Sequence, residues 1–154
     1  MAQILLYNTA VEVKRNNDGE KGHATRRGYM AVKILVVEDD NDSLEILKIQ
    51  LEFMGYEVIE AVNGEDGIKK AQAHLPKIVI MDLGLPDING IEATQKLKQS
   101  PRTAHIPVIA HTAWREEDYR IDAQKAGIAE FLTKPTPPYR FHSTIEKWLN
   151  SSGN

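Results

Sequence analysis

Five short apolar runs divide this chain, and each is followed by a segment with helical periodicity. The runs predict strands over 33–37, 56–62, 78–81, 106–110 and 128–133. After the first, Leu44, Leu47, Leu51 and Met54 recur on one face of a 3.6-residue period. Ile68, Ala71 and Leu75 do so after the second, and Ile91, Thr94 and Leu97 after the third. A fourth helix is expected over 116–126, with its acids at the positive end of the dipole and Gly127 as a left-handed cap. A fifth, over 138–150, places Phe141, Ile145, Trp148 and Leu149 on its buried face. Asn41 or Asp42 reads as the first N-cap, Gly55 stops that helix, and Pro76 closes the second. Alternating strands and helices build a parallel sheet covered on both faces.

A chain of 154 residues suits an open sheet better than an eight-fold barrel. The expected fold is α/β: a flavodoxin-like, doubly wound, five-stranded parallel sheet of order 2-1-3-4-5 with five helices. Cysteine is absent, which excludes disulfides, thiolate metal sites and cysteine nucleophiles. A net charge of -3 gives no reason to expect nucleic-acid binding. No apolar run approaches the roughly 20 residues that span a bilayer, so the cytoplasm is the default compartment. Residues 1–31 read as a disordered or weakly ordered extension, polar and glycine-containing without periodicity. Alternatively they are not native, with translation starting at Met30, because Arg26, Arg27 and Gly28 suit purine-rich codons resembling a bacterial ribosome-binding site. Residues 32–150 are expected to form the domain and 151–154 a tail.

Parallel strands end on one side of their sheet, and open α/β folds bind ligands there. The third run, Ile78 to Met81, stops abruptly at Asp82. The first stops at Glu38, Asp39 and Asp40, the fourth leads to Thr112, and the fifth ends in Lys134. Strands one and three are neighbours in the expected order, so Glu38, Asp39 and Asp82 crowd together. Crowded carboxylates resist joint ionisation. A hard cation resolves the conflict, and an oxygen-only site favours Mg²⁺ over Zn²⁺. Beside the metal, an already ionised Asp82 can attack phosphorus and form an aspartyl phosphate. Lys134 then balances charge on the phosphoryl oxygens and the Thr112 hydroxyl donates to them. Asp40 is left to face away or to start the first helix.

These residues resemble the receiver domain of bacterial response regulators, in particular the stand-alone chemotaxis type. The resemblance rests on Ile34-Leu35-Val36-Val37-Glu38-Asp39, on Met81-Asp82 with Leu85-Pro86 and Asn89-Gly90, on Pro107-Val108-Ile109-Ala110 with Thr112-Ala113, and on Phe131-Leu132-Thr133-Lys134-Pro135. It implies Asp82 as phosphoacceptor, with Mg²⁺ bound by Asp39 directly, by Glu38 through water and by the Gly84 carbonyl. It implies that Thr112, Lys134 and the Ala113 amide grip the phosphoryl group, and that Lys134-Pro135 is cis. Phe131, with Thr112, would form an aromatic switch. The donor would be a phosphohistidine on a sensor histidine kinase, and output would leave through helix four, strand five and helix five. The implied protein catalyses only its own phosphorylation and dephosphorylation, as a monomer or a weak phosphorylation-dependent dimer.

The sequence also departs from the pattern. Phe131 lacks the hydroxyl of the commoner tyrosine, so it is either a switch or a static core aromatic. Trp114, two residues past Thr112, either shields an acyl phosphate from water, contacts a partner, or packs over a loop. Alternation should turn His111 to the face opposite Thr112. With no effector segment after Asn150, the module would act by docking on another protein. A phosphorelay carrier that passes the group to a histidine phosphotransfer protein is the alternative. An Mg²⁺-dependent phosphohydrolase would need a second acid two residues after its nucleophile, where Gly84 stands, and a flavin binder would need a phosphate loop in place of the acidic triplet.

Overall fold

The computed structural model describes residues 31–151. Of the extension expected over residues 1–31 only Ala31 is included, and of the expected tail only Ser151; the rest lies outside the described residues. Ten elements alternate: β1 (Lys33–Val37), α1 (Asn41–Phe53), β2 (Glu57–Ala61), α2 (Gly64–His74), β3 (Ile78–Met81), α3 (Gly90–Gln99), β4 (Val108–Thr112), α4 (Glu116–Ala126), β5 (Glu130–Thr133) and α5 (Pro138–Ser151). Every strand pairing is parallel and the order is β2-β1-β3-β4-β5, as expected.

The continuous hydrophobicity of the strands follows from a core on each face of the sheet. Leu35, Val37, Val79, Met81, Val108 and Ala110 turn one way, against α2, α3 and α4. Ile34, Val36, Ile78, Ile80, Ile109 and Leu132 turn the other way, against α1 and α5. Burying one such side chain contributes about 1.5–3 kcal/mol before entropy is counted.

Several boundaries move from the sequence-based expectation. β4 runs to Thr112 instead of Ala110, because the β5 ladder pairs His111 with Leu132 and Thr112 with Thr133. It starts at Val108 rather than Ile106, just past Pro107, which has no amide hydrogen to donate. β2 and β5 are shorter than their apolar runs. The N-cap of α1 is Asp40, not Asn41 or Asp42, and its carboxylate accepts from the Ser43 amide at 2.8 Å. Leu75 was expected on the buried face of α2 but is its left-handed C-cap, at φ 47°, and is exposed. Pro76 disfavours the right-handed helical conformation for the residue before it. Phe141 and Ile145 are buried as expected, whereas Trp148 and Leu149 are only partly covered.

The turn from β3 into α3 is the tightest place near the sheet edge. The Gly90 amide donates to the Leu83 carbonyl at 2.9 Å. A Cβ on Gly90 would collide with the Asp82 carbonyl oxygen and stand 2.8 Å from Leu83 Cα. Helix propensity alone would favour alanine here by about 1 kcal/mol. The collision involves backbone and decides the sign, so Gly90→Ala is expected to destabilise the protein by about 1–3 kcal/mol. Urea unfolding midpoints check this; an unchanged or raised midpoint would refute it.

Candidate functional site

The carboxyl edge of the sheet assembles from backbone hydrogen bonds that run one residue past each strand. The Glu38 amide donates to the Ala61 carbonyl at 2.9 Å and the Asp82 amide to the Val37 carbonyl at 3.0 Å. The Lys134 amide donates to the Thr112 carbonyl at 2.7 Å. These bonds bring the side chains after β1, β3 and β5 to one rim. Carboxylate oxygens of Glu38, Asp39 and Asp82 all lie within 4.8 Å of one another. Asp40 leaves the group to cap α1, and the hydrogen bonds from Ser43 hold its carboxyl below the usual range.

Lys134 reaches into this cluster. Its ammonium lies 2.6 Å from Glu38 Oε2 and 3.6 Å from Asp82 Oδ2. Glu38 is 2% exposed, and its other oxygen accepts from the Asp40 amide at 3.1 Å. Burial pushes the Glu38 carboxyl up, and the nearby charge of Asp82 adds to this. The hydrogen bonds from Lys134 and Asp40 pull the other way without cancelling it. Three carboxylates facing one ammonium keep a surplus of negative charge and offer only oxygen donors. That donor set fits a hard divalent cation such as Mg²⁺. Asp39, on the exposed side, and Asp82 would hold the ion, with Glu38 behind them.

Thr112 ends β4 with its side chain fully buried, and its hydroxyl oxygen accepts from the Trp114 amide at 3.3 Å. Ala113 is exposed at the start of the following loop. Trp114 stacks on Tyr119 of α4, with centroids 4.5 Å apart. A Cβ on Gly84 would come 3.3 Å from the indole Nε1. Packing over a loop is therefore what the structure shows for Trp114, and the bare Gly84 makes room for it. The Lys134-Pro135 bond is cis. Phe131 does not join the rim; it is buried in the α4-side core. Asp87 was overlooked in the sequence. Its carboxylate accepts from the Gly64 and Glu65 amides at 2.8 Å each, and an acid directly after Pro86 in a turn was the available signal.

A family model for the response regulator receiver domain matches residues 34–146. The chain belongs to that family. Receiver domains are the phosphorylated modules of two-component signalling, carrying the phosphoryl group on an aspartate with Mg²⁺. Among similar proteins, the polar-differentiation response regulator DivK of Brucella anthropi is 32% identical over 123 residues, 80% of this chain and all of that one. A CheY-like receiver domain protein from Methanospirillum hungatei JF-1 superposes with a TM-score of 0.75 at 27% identity, over 80% of this chain and 97% of its own. The receiver domain of a sensor histidine kinase from Pseudomonas aeruginosa PAO1, solved with magnesium coordinated in its active-site cleft, gives 0.73 at 25% identity, over 79% and 99%.

His111 lies behind this receiver site, on the opposite face from Thr112 as alternation requires. It is 8% exposed, its ring centroid is 5.7 Å from that of Phe141, and its Nδ1 finds no partner among the described residues. Burial, then the positive charge of Lys134, lower its pKa from 6.5 to about 4, with Asp82 opposing. Between those values the unfolded chain takes up a proton that the native state refuses. Stability is thus lost as pH falls from about 6.5 to about 4, by about 3 kcal/mol in all. His111→Leu is expected to flatten this part of the acid limb, measured as urea stability at about pH 7 and about pH 4. An unchanged slope would count against a buried neutral imidazole.

Proposed function

We propose that Asp82 is the phosphoacceptor and that Glu38, Asp39, Thr112 and Lys134 serve its phosphorylation. The observation that carries this reading is the Lys134 ammonium lodged between Glu38 and Asp82, at 2.6 and 3.6 Å. An ammonium so placed meets the oxygens of a group arriving on Asp82. An Asp82 carboxylate oxygen attacks the phosphorus of a phosphohistidine. The P–N bond breaks, and the imidazole nitrogen keeps the electron pair and takes up a proton. Asp39, Asp82 and the Gly84 carbonyl would hold Mg²⁺, with Glu38 behind them, and the ion would supply charge neutralisation there. Thr112 gives up the Trp114 amide when its hydroxyl turns to the phosphoryl group, and the Ala113 amide donates beside it. The chain thus catalyses only its own phosphorylation and dephosphorylation.

The donor is a sensor histidine kinase, and we place the protein with it in the cytoplasm. The outer face of α1 supports a helical partner, since Ile46, Ile49 and Phe53 are 57%, 59% and 90% exposed along one stripe. A phosphorelay to a histidine phosphotransfer protein would use the same stripe. For output, Phe131 lines a groove of about 240 Å³ between α4 and β5, with Arg120, Gln124 and Ile128 among its walls. We read Phe131 as the switch, acting with Thr112 to remodel that groove for a protein target. Exposed Ile121 and Tyr139 on α4 and α5 support docking there. No helix among the described residues is long and apolar enough to cross a membrane.

Incubation with acetyl phosphate and Mg²⁺, followed by intact mass, is expected to show one added phosphoryl group. Labelling should vanish in Asp82→Ala and on chelation of the metal. Equal labelling of Asp82→Ala would overturn the assignment. Lys134→Ala should still accept phosphoryl slowly yet lose the phosphorylation-dependent partner response, checked by pulldown of the target with and without acetyl phosphate.

A further inference from the structure

The segment from Asp82 to Asn89 joins β3 to α3 without regular structure, yet it must hold Gly84 beside the phosphoacceptor. Several of its ties are local. The Gly84 amide donates to Asp82 Oδ1 at 3.2 Å, and Asn89 caps α3 by accepting from the Glu92 amide at 2.9 Å. Asp87 makes a long-range tie. Its two oxygens accept from the Gly64 and Glu65 amides, across 23 and 22 residues. Those amides belong to the first turn of α2, whose donors have no partners within the helix. α2 already has its own cap, because Asn63 accepts from the Asp66 amide at 2.8 Å. The carboxylate of Asp87 is thus bound by the helix end and anchors the loop in return.

The packing agrees. A Cβ on Gly64 would stand 2.5 Å from Ile88 Cγ1 and 3.2 Å from the Ile88 carbonyl oxygen, so the bare Gly64 lets the loop lie against the helix start. Alongside, Lys96 of α3 reaches Glu65 of α2 at 3.1 Å. Burial acts to raise the Asp87 carboxyl, but the backbone hydrogen bonds outweigh it and the carboxyl stays below its usual range.

We infer that Asp87 is a positioning residue for the receiver site: it moors the β3–α3 loop to the start of α2 and so keeps the Gly84 carbonyl in place for a divalent cation. This rests on the Asp82 reading only in taking Gly84 as a ligand. Groups that hydrogen-bond a metal ligand directly typically alter affinity by about 10–100-fold, and Asp87, which acts on Gly84 through the loop backbone, is expected at the low end of that range.

The test is calorimetric titration of the full chain with Mg²⁺ alone, with thermal melts of the same samples in chelator and acetyl phosphate labelling in parallel. Asp87→Ala is expected to bind Mg²⁺ about tenfold more weakly. Asp87→Asn, which keeps one acceptor oxygen, should fall between it and the parent. Asn63→Ala removes the other cap of the same helix, and it should lower the melting temperature while leaving Mg²⁺ affinity unchanged. Parental affinity in Asp87→Ala, or an equal loss in Asn63→Ala, would overturn the inference. A parent chain that binds Mg²⁺ but is never labelled overturns the Asp82 reading instead, and the Asp87 comparison still stands on calorimetry. A parent chain that binds no Mg²⁺ overturns both.

Discussion

The ammonium of Lys134 holds together a rim that would otherwise repel itself. Three carboxylates converge where β1 and β3 end, and one of them, Glu38, is almost fully buried. A lone buried carboxylate is costly unless it is paired or protonated. Lys134 is the partner that the fold supplies, and backbone geometry decides its position: its amide extends the β4–β5 ladder to the Thr112 carbonyl. The rim is therefore a property of the sheet order as much as of its residues. Exchange the places of β3 and β4, and Asp82 would no longer neighbour Glu38.

Around that rim the chain uses small residues where backbone must approach and aromatic ones where it must be covered. Gly90 lets α3 start against the Asp82 carbonyl, Gly64 admits Ile88, and Gly84 leaves room for the Trp114 indole. Trp114 in turn stacks on Tyr119, which joins the loop after Thr112 to α4. The loops on the rim are irregular, but side chains at their bases fix them: Asp40 on α1, Asp87 on α2 and Asn89 on α3.

Much of this was legible in the residues. Apolar runs ending in Asp82, Glu38 and Lys134 announced both the strands and the edge where they would meet, because a strand buried on both faces must turn polar where it leaves the core. His111 beside Thr112 was placed on the correct face by alternation alone. Other features resisted for physical reasons. β4 reaches Thr112 because β5 pairs with it, and strand length set by a neighbouring ladder has no local signal. Leu75 looked like one more buried helical residue, and only the proline after it hinted at the left-handed cap.

The sequence by itself determined the element order, the two-faced burial of the strands and the set of side chains delivered to the rim. Each of these depends on local periodicity or on the end of an apolar run. Only the tertiary structure decided which charges pair. Lys134 lies closer to Glu38 than to Asp82, and Asp87 turns from the carboxylate rim to the start of α2. Contacts between residues 96 and 23 positions apart depend on where the sheet and helices set their backbones, and no spacing along the chain encodes that distance.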